Sequence, residues 1–427
     1  MDMLIVEGGQ RLSGCVRVDG SKNATLPIMA ASLAADGPVV LRNVPALVDV
    51  RTMCQLLQSL GADVSHSGEC LTVDARSADG VVAEYDLVRR MRASVCVLGP
   101  LLARFGSARV SLPGGCNIGH RPIDLHLRGL AALGADIRMT GGYVVAEAGA
   151  LRGADICLDG PHGSSVTATC NVMTAATLAK GRTVIRAAAM EPEVSSLAKF
   201  LNDLGANIQG VGTPEIEIVG VARLDGGSQT IVSDRIEAAT LAIAAGITRS
   251  VIEIKGAPVS QMTSVIARLN EIGVEVHETE SRMHVDATRK LNGVDLTAVP
   301  YPGIPTDTLA QFMALLTTIP GSSIITDHVF PDRFMHVSEL SRMGARIKRT
   351  GNSAIVDGIE SLSAAPLMAS DLRASAALLL AALAAPGQSQ IRRIYHLDRG
   401  YAQLEEKLNQ LGARITRCDD ARVATRL

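Results

Sequence analysis

One pattern, L-x-x-[LIM]-G-[AV]-x-[VI], recurs six times along the 427-residue chain and limits the fold more than any other feature. The copies are LQSLGADV, LAALGADI, LNDLGANI, LNEIGVEV, LSRMGARI and LNQLGARI. Their glycines, Gly61, Gly134, Gly205, Gly273, Gly344 and Gly412, are spaced by 73, 71, 68, 71 and 68 residues. Each copy reads as the end of an amphipathic helix, a glycine in the left-handed conformation that closes it, and a β-branched residue early in a strand. A second pattern precedes each copy: an Ala/Leu-rich helix ends near a glycine and runs into a β-rich stretch, as in SLAADGPVVL, ATLAKGRTVI and LAAPGQSQIRR. A unit of about 70 residues with two helices and several strands is longer than the roughly 20 to 50 residues of a solenoid repeat. It is large enough to pack as a small α/β fold. Six such units divide into two domains of three, as the chain length also suggests.

Composition narrows the function. Hydrophobic residues are 47% of the chain and aromatics 2%, with no Trp, so the cores are built from Ala, Leu, Ile, Val and Met. That disfavours binding of single-stranded nucleic acid by stacking. The net charge of -2, with no run of like charge, argues against a DNA-binding or anionic-membrane surface. An anionic ligand would need a local cluster of Lys and Arg. The eight cysteines are scattered without a C-x-x-C pair. No zinc site, metal centre or disulfide framework is expected, and mostly buried thiols in a reducing compartment fit better. MDMLIVEGGQRLSG lacks the basic start and apolar run of a signal peptide, and the apolar stretch Ala376 to Pro386 is too short to span a bilayer.

Several segments carry chemistry. In SLPGGCNIGHRPIDLHLRGL, Pro113, Gly114, Gly115 and Gly119 deny regular structure until about Asp124, which leaves Cys116 in a loop beside His120 and Arg121. A loop thiol can be exposed and reactive; by itself Cys116 reads equally well as a small loop residue. In GSKNATLP, Lys22 and Asn23 lie where a loop opens a helix, a good place for an anion, although a solvated Lys is the commoner case. Asp307, in PYPGIPTDTLAQF, either caps a helix or serves as a carboxylate base. His396, Asp398 and Arg399 fall in a turn before a helix, and Arg333, Asp371 and Arg373 add charge at comparable places in other repeats.

Taken in order, GSKNA, LPGGCNIGHRPIDLH, EPEV, PTD, RFMHV, DLRAS and YHLDRGY resemble the enolpyruvyl transferase family, most closely its UDP-N-acetylglucosamine 1-carboxyvinyltransferases, over nearly the whole chain. The resemblance implies an α/β, two-domain inside-out barrel of six βαβαββ units, like EPSP synthase. It places one domain at 22–231 and the other at 1–21 plus 232–427. It implies a cytoplasmic enzyme of peptidoglycan synthesis and a fosfomycin target. The enzyme would move the carboxyvinyl group of phosphoenolpyruvate to the 3-hydroxyl of UDP-N-acetylglucosamine without a cofactor. Lys22, Arg121 and Arg399 are expected to hold phosphoenolpyruvate, Cys116 to protonate its methylene carbon, and Asp307 to take the hydroxyl proton. Asn23, Arg92, Arg121, Pro122, Ile123, Asp124, Leu125, Ser165, Val166, Thr167 and Val329 are expected at the nucleotide sugar, and Arg333, Asp371, Arg373 and Arg399 around the site.

The sequence departs from the family pattern in three places, one of them Asp332, which stands where many members have Asn beside the Arg. Thr167 stands where the family usually has Gly in Ser-Val-Gly-Ala-Thr, and Thr308-Leu309 follow Asp307 in place of Met or Leu and then Gln. The Cβ of Thr167 would crowd a diphosphate, while its hydroxyl could donate to it. The change leaves open an acceptor such as UMP, in place of the UDP-sugar, and a catalytically silent UDP-sugar sensor is the third reading.

Overall fold

The computed structural model describes residues 2–114, 122–279 and 282–420. The described residues between Gly20 and Val232 form one compact unit; Asp2–Asp19 with the described residues from Ser233 onward form a second, here called the terminal unit. Among the described residues there are six four-stranded sheets, three in each unit.

All six sheets share one plan. A short strand pairs in parallel with a second, and the rest of the ladder is antiparallel. Asp155–Cys157 with Arg182–Arg186 and Leu296–Ala298 with Ser322–Asp327 are examples of the parallel pair. Where the strands follow in chain order, a helix occupies the parallel crossover, a second helix follows, and two antiparallel strands close the repeat, as in Val166–Ala176, Pro192–Asp203, Asn207–Gln209 and Glu215–Val219. Parallel neighbours need such a crossover, because a tight turn cannot return the chain in the same direction.

The crossover helices are apolar nearly all round and are buried accordingly. Every residue of Arg235–Ile247 is buried, and Leu372–Ala384 is buried over all but its last residue. Small side chains let them approach: a Cβ on Gly246 would meet Leu315 and Val274 at 3.3 Å. The outer helices are amphipathic and end at the repeated glycine. All six of those glycines take φ between 87° and 103°, the left-handed conformation that the pattern predicts.

Three strands are out of sequence order. Gly227–Thr230 supplies the parallel strand beside Val39–Arg42, completing the sheet that begins the 20–232 unit. In the terminal unit Ser13–Arg17 lies beside Val251–Lys255. Asp2–Gly8 runs between Gly387–Arg392 and Ile415–Asp419. One expectation fails: of the seven described cysteines only Cys96 and Cys170 are buried, while Cys15, Cys70 and Cys157 are exposed. These three sit in strands, where alternate side chains point away from the core.

Candidate functional site

In the 20–232 unit the candidates collect at helix starts. Ser21 caps Lys22–Ala31, its Oγ accepting from the Ala24 N–H at 3.3 Å. Lys22 is not a solvated side chain. It is buried, with Nζ 3.6 Å from Oδ2 of the equally buried Asp49 in the first turn of Val48–Ser59. A buried ammonium needs such a counter-charge. Asp49 carries no signal of its own in the sequence, because only the fold brings it against Lys22. Asn23 is half-buried on the same helix.

Arg92 donates from Nη2 to the Pro122 carbonyl at 3.1 Å and so ties down the entry to the Asp124–Ala132 helix. Ile123 and Leu125 are buried there, and Pro122 and Asp124 are exposed. That helix lies against Val166–Ala176 at Gly129, where a Cβ would stand 2.4 Å from Val172 Cγ2. Ser165 caps the second helix by accepting from the Ala168 N–H at 3.3 Å, and Ser165, Val166 and Thr167 are all half-buried. His126 Nε2 lies 3.1 Å from Thr167 Oγ1, so the two helix starts meet although some forty residues separate them. Paired helix N-termini offer free N–H donors to an anion. Cys116 and Arg121 lie outside the described residues.

In the terminal unit Asp307 is the centre of a charge cluster. It sits in the first turn of Thr306–Leu316, a helix without a side-chain cap bond, so the capping reading is overturned. Its Oδ1 accepts from Arg333 Nη1 at 2.7 Å and its Oδ2 from Arg373 Nη2 at 3.0 Å. Both arginines are almost wholly buried. Arg373 lies over the Tyr401 ring, 5.1 Å from its centroid. Its Nε and Nη1 are buried and meet no acceptor at hydrogen-bond geometry among the described residues. Burial works against the Arg373 charge, yet Tyr401 and Asp307 hold its pKa above the ordinary arginine value.

Other polar groups set the frame. Gln311 Nε2 donates to the Asp307 carbonyl at 2.9 Å and reaches Thr240 and Tyr401, each at 3.1 Å, which joins two buried helices. Asp327 takes the Thr306 hydroxyl on Oδ2 at 2.6 Å and the Val329 and Phe330 N–H groups on Oδ1 at 2.9 and 2.8 Å, shaping the turn that carries Val329. Burial raises the Asp327 pKa. Asp371 caps Leu372–Ala384 through the Arg373 and Ala374 N–H groups. Arg399 ends the turn Ile394–Arg399, and Gly400 lies so close to Leu372 that a Cβ would stand 2.2 Å from its Cδ1. This brings the Arg399 turn onto the helix start that bears Asp371 and Arg373. His336, buried beside Arg333 and Asp371, has its pKa lowered to about 4, chiefly by burial. Neither Asp327 nor His336 stood out in the sequence, because only their buried surroundings distinguish them.

Among the described residues no three His, Cys, Asp or Glu side chains are placed to hold a metal ion, and no helix is long and apolar enough to cross a membrane. Burial pushes the Cys54 thiol up to about 11 and Cys96 up to about 12, so neither is a reactive thiolate near neutral pH.

Known proteins share this architecture. Residues 6–408 match the family model described as EPSP synthase (3-phosphoshikimate 1-carboxyvinyltransferase). A UDP-N-acetylglucosamine 1-carboxyvinyltransferase of Desulfatibacillum aliphaticivorans is 51% identical over 98% of this chain and all of its own length. One of Myxococcus xanthus is 50% identical over 98% of this chain and 99% of its own. The crystal structure of the enolpyruvyl transferase NikO from Streptomyces tendae superposes with a TM-score of 0.89 at 29% identity, covering 98% of this chain and 99% of that one. EPSP synthase from Acinetobacter baumannii, at 18% identity and a TM-score of 0.77 over 98% of this chain and all of that one, shares the fold. With the six repeats, the Asp307 cluster and these full-length matches in agreement, the chain belongs to the EPSP synthase family, in its UDP-N-acetylglucosamine 1-carboxyvinyltransferase branch.

Proposed function

We propose that this enzyme transfers the 1-carboxyvinyl group of phosphoenolpyruvate to the 3-hydroxyl of UDP-N-acetylglucosamine, in the cytoplasm, for peptidoglycan synthesis. The observation that carries the reading is full-length identity of 51% to a protein of that name. The family resemblance supplies the steps, and the Asp307 cluster is compatible with its part in them. The sugar hydroxyl bonds to the central carbon of phosphoenolpyruvate while Asp307 takes its proton and Cys116 delivers one to the methylene carbon. The resulting tetrahedral adduct loses phosphate as its carbon–oxygen bond breaks. The methyl group returns a proton, and the double bond re-forms. A carboxylate held between two arginines is oriented, as a base must be to meet a substrate hydroxyl. Arg373, with two donors unmatched among the described residues, suits the anionic donor substrate. Lys22 and Arg399 are assigned to the same ligand, and the segments 122–125 and 165–167, with Asn23, Arg92 and Val329, to the nucleotide sugar.

Relatives at 48 to 51% identity favour the UDP-sugar over an acceptor such as UMP. Phosphate release from phosphoenolpyruvate, followed with UDP-N-acetylglucosamine, UMP and shikimate 3-phosphate, tests the assignment. Release that depends on the UDP-sugar is expected. Full activity with UMP and none with the UDP-sugar would overturn it.

A further inference from the structure

Asn171, on the Val166–Ala176 helix, is 1% exposed. Its Oδ1 accepts from the Gly99 N–H at 2.6 Å and its Nδ2 donates to the Val95 carbonyl at 3.0 Å. A backbone N–H only donates and a carbonyl only accepts, so the amide has one orientation. The same Nδ2 lies 3.0 Å from His126 Nδ1. An amide nitrogen cannot accept, so Nδ1 must, and the ring is neutral with its proton on Nε2. Nε2–H then donates to the Thr167 hydroxyl at 3.1 Å. His126 is 2% exposed, so water does not compete freely for the ring.

The consequence falls on Thr167. A hydroxyl that receives a hydrogen bond from the imidazole turns its own proton elsewhere, and no described residue accepts that proton. Thr167 stands in the first turn of its helix, beside the backbone N–H groups that the helix leaves without internal partners. We infer that His126, fixed as its Nε2–H tautomer by Asn171, is a positioning residue that aims the Thr167 hydroxyl as a donor at the diphosphate of the nucleotide sugar. This rests on the acceptor reading proposed above. Phosphate oxygens are acceptors only, so a fixed donor suits them and selects against a ligand that presents a donor at that point. The extra donor also offsets the loss of the closer backbone approach that a glycine at 167 would allow.

The test pairs Thr167→Val, which keeps the volume and removes the donor, with Thr167→Ser, which keeps the donor. For Thr167→Val the KM for UDP-N-acetylglucosamine is expected to rise about tenfold or more, with the change confined to that substrate, and Thr167→Ser is expected to restore most of the loss. Asn171→Asp gives a second arm. Its carboxylate only accepts, so it calls for a hydrogen bond from Nδ1–H; in the neutral ring the proton then leaves Nε2, which accepts from Thr167 and consumes the donor. The same rise in KM is expected with Thr167 intact. Nitrogen NMR of histidine-labelled wild-type enzyme reads the tautomer directly, even where Asn171→Asp folds poorly. A proton on Nδ1 of His126, an unchanged KM in Thr167→Val, or a parallel fall in turnover and in affinity for phosphoenolpyruvate would overturn the inference. A wild-type enzyme that ignores UDP-N-acetylglucosamine would overturn the underlying reading instead.

Discussion

Asp307 shows how much one side chain holds together. Its two oxygens pair with two guanidinium groups, those of Arg333 and Arg373, and Arg373 is 1% exposed. Removing one member of a buried pair leaves the other charge without compensation, which costs more than the pair itself contributes. Asp307→Asn is therefore expected to lose UDP-sugar-dependent phosphate release and also to destabilise the terminal unit by on the order of 2 to 4 kcal/mol in urea unfolding at pH 7. A loss below about 1 kcal/mol would mean that other groups already balance Arg333 and Arg373. The sequence offered two roles for Asp307 and could not choose between them. An Asp at a helix start looks the same in either role, and the choice lies with arginines 26 and 66 positions away.

At the scale of an element, the Arg235–Ile247 helix carries an acid where its burial leaves no solvent. Asp234 caps it through the Ile236 and Glu237 N–H groups at 2.8 and 3.1 Å. Glu237 is 3% exposed, accepts the Asp19 N–H at 2.8 Å and bonds Lys407, which also pairs with Asp19 at 2.8 Å. Burial, with Asp19 adding to it and Lys407 opposing it, pushes the Glu237 pKa up from 4.5 to about 7. In the unfolded chain this carboxyl ionises near 4.5, whereas the folded protein keeps its proton to about 7. The folded state thus binds more protons within that window, and its stability declines as pH rises through it. Glu237→Gln removes the titration. Between pH 4.5 and 7 the wild type is expected to lose on the order of 2 to 3 kcal/mol relative to the variant. Denaturant midpoints measured for both across that range check it, and parallel curves would sink the assignment.

For the whole molecule the order of the strands matters more than their number. Residues 2–17 supply the central strand of one sheet and the edge strand of another in the terminal unit. The 20–232 unit draws its three sheets from its own residues. Deleting residues 2–17 is expected to unfold the terminal unit and spare the other. Limited proteolysis with mass spectrometry would then find cleavage concentrated after Ser233. Resistance equal to that of the full chain, or equal cleavage before Val232, would contradict this dependence.

The sequence by itself determined the repeat, because helix ends, closing glycines and strand starts are local and their spacing survives any arrangement of the units. It likewise placed the candidate residues at helix starts, where charge and cap chemistry are written within four or five positions. Which groups meet was left to the tertiary structure. Asn171 lies 45 residues from His126, and Arg373 lies 66 from Asp307. Burial decided the rest. Lys22 reads as a surface side chain until Asp49 is brought against it away from water, and Cys15, Cys70 and Cys157 read as core thiols until the pleat turns them outward. Pairing and desolvation depend on the closed fold, and only that fold brings a histidine, an asparagine and a threonine close enough to fix where one proton sits.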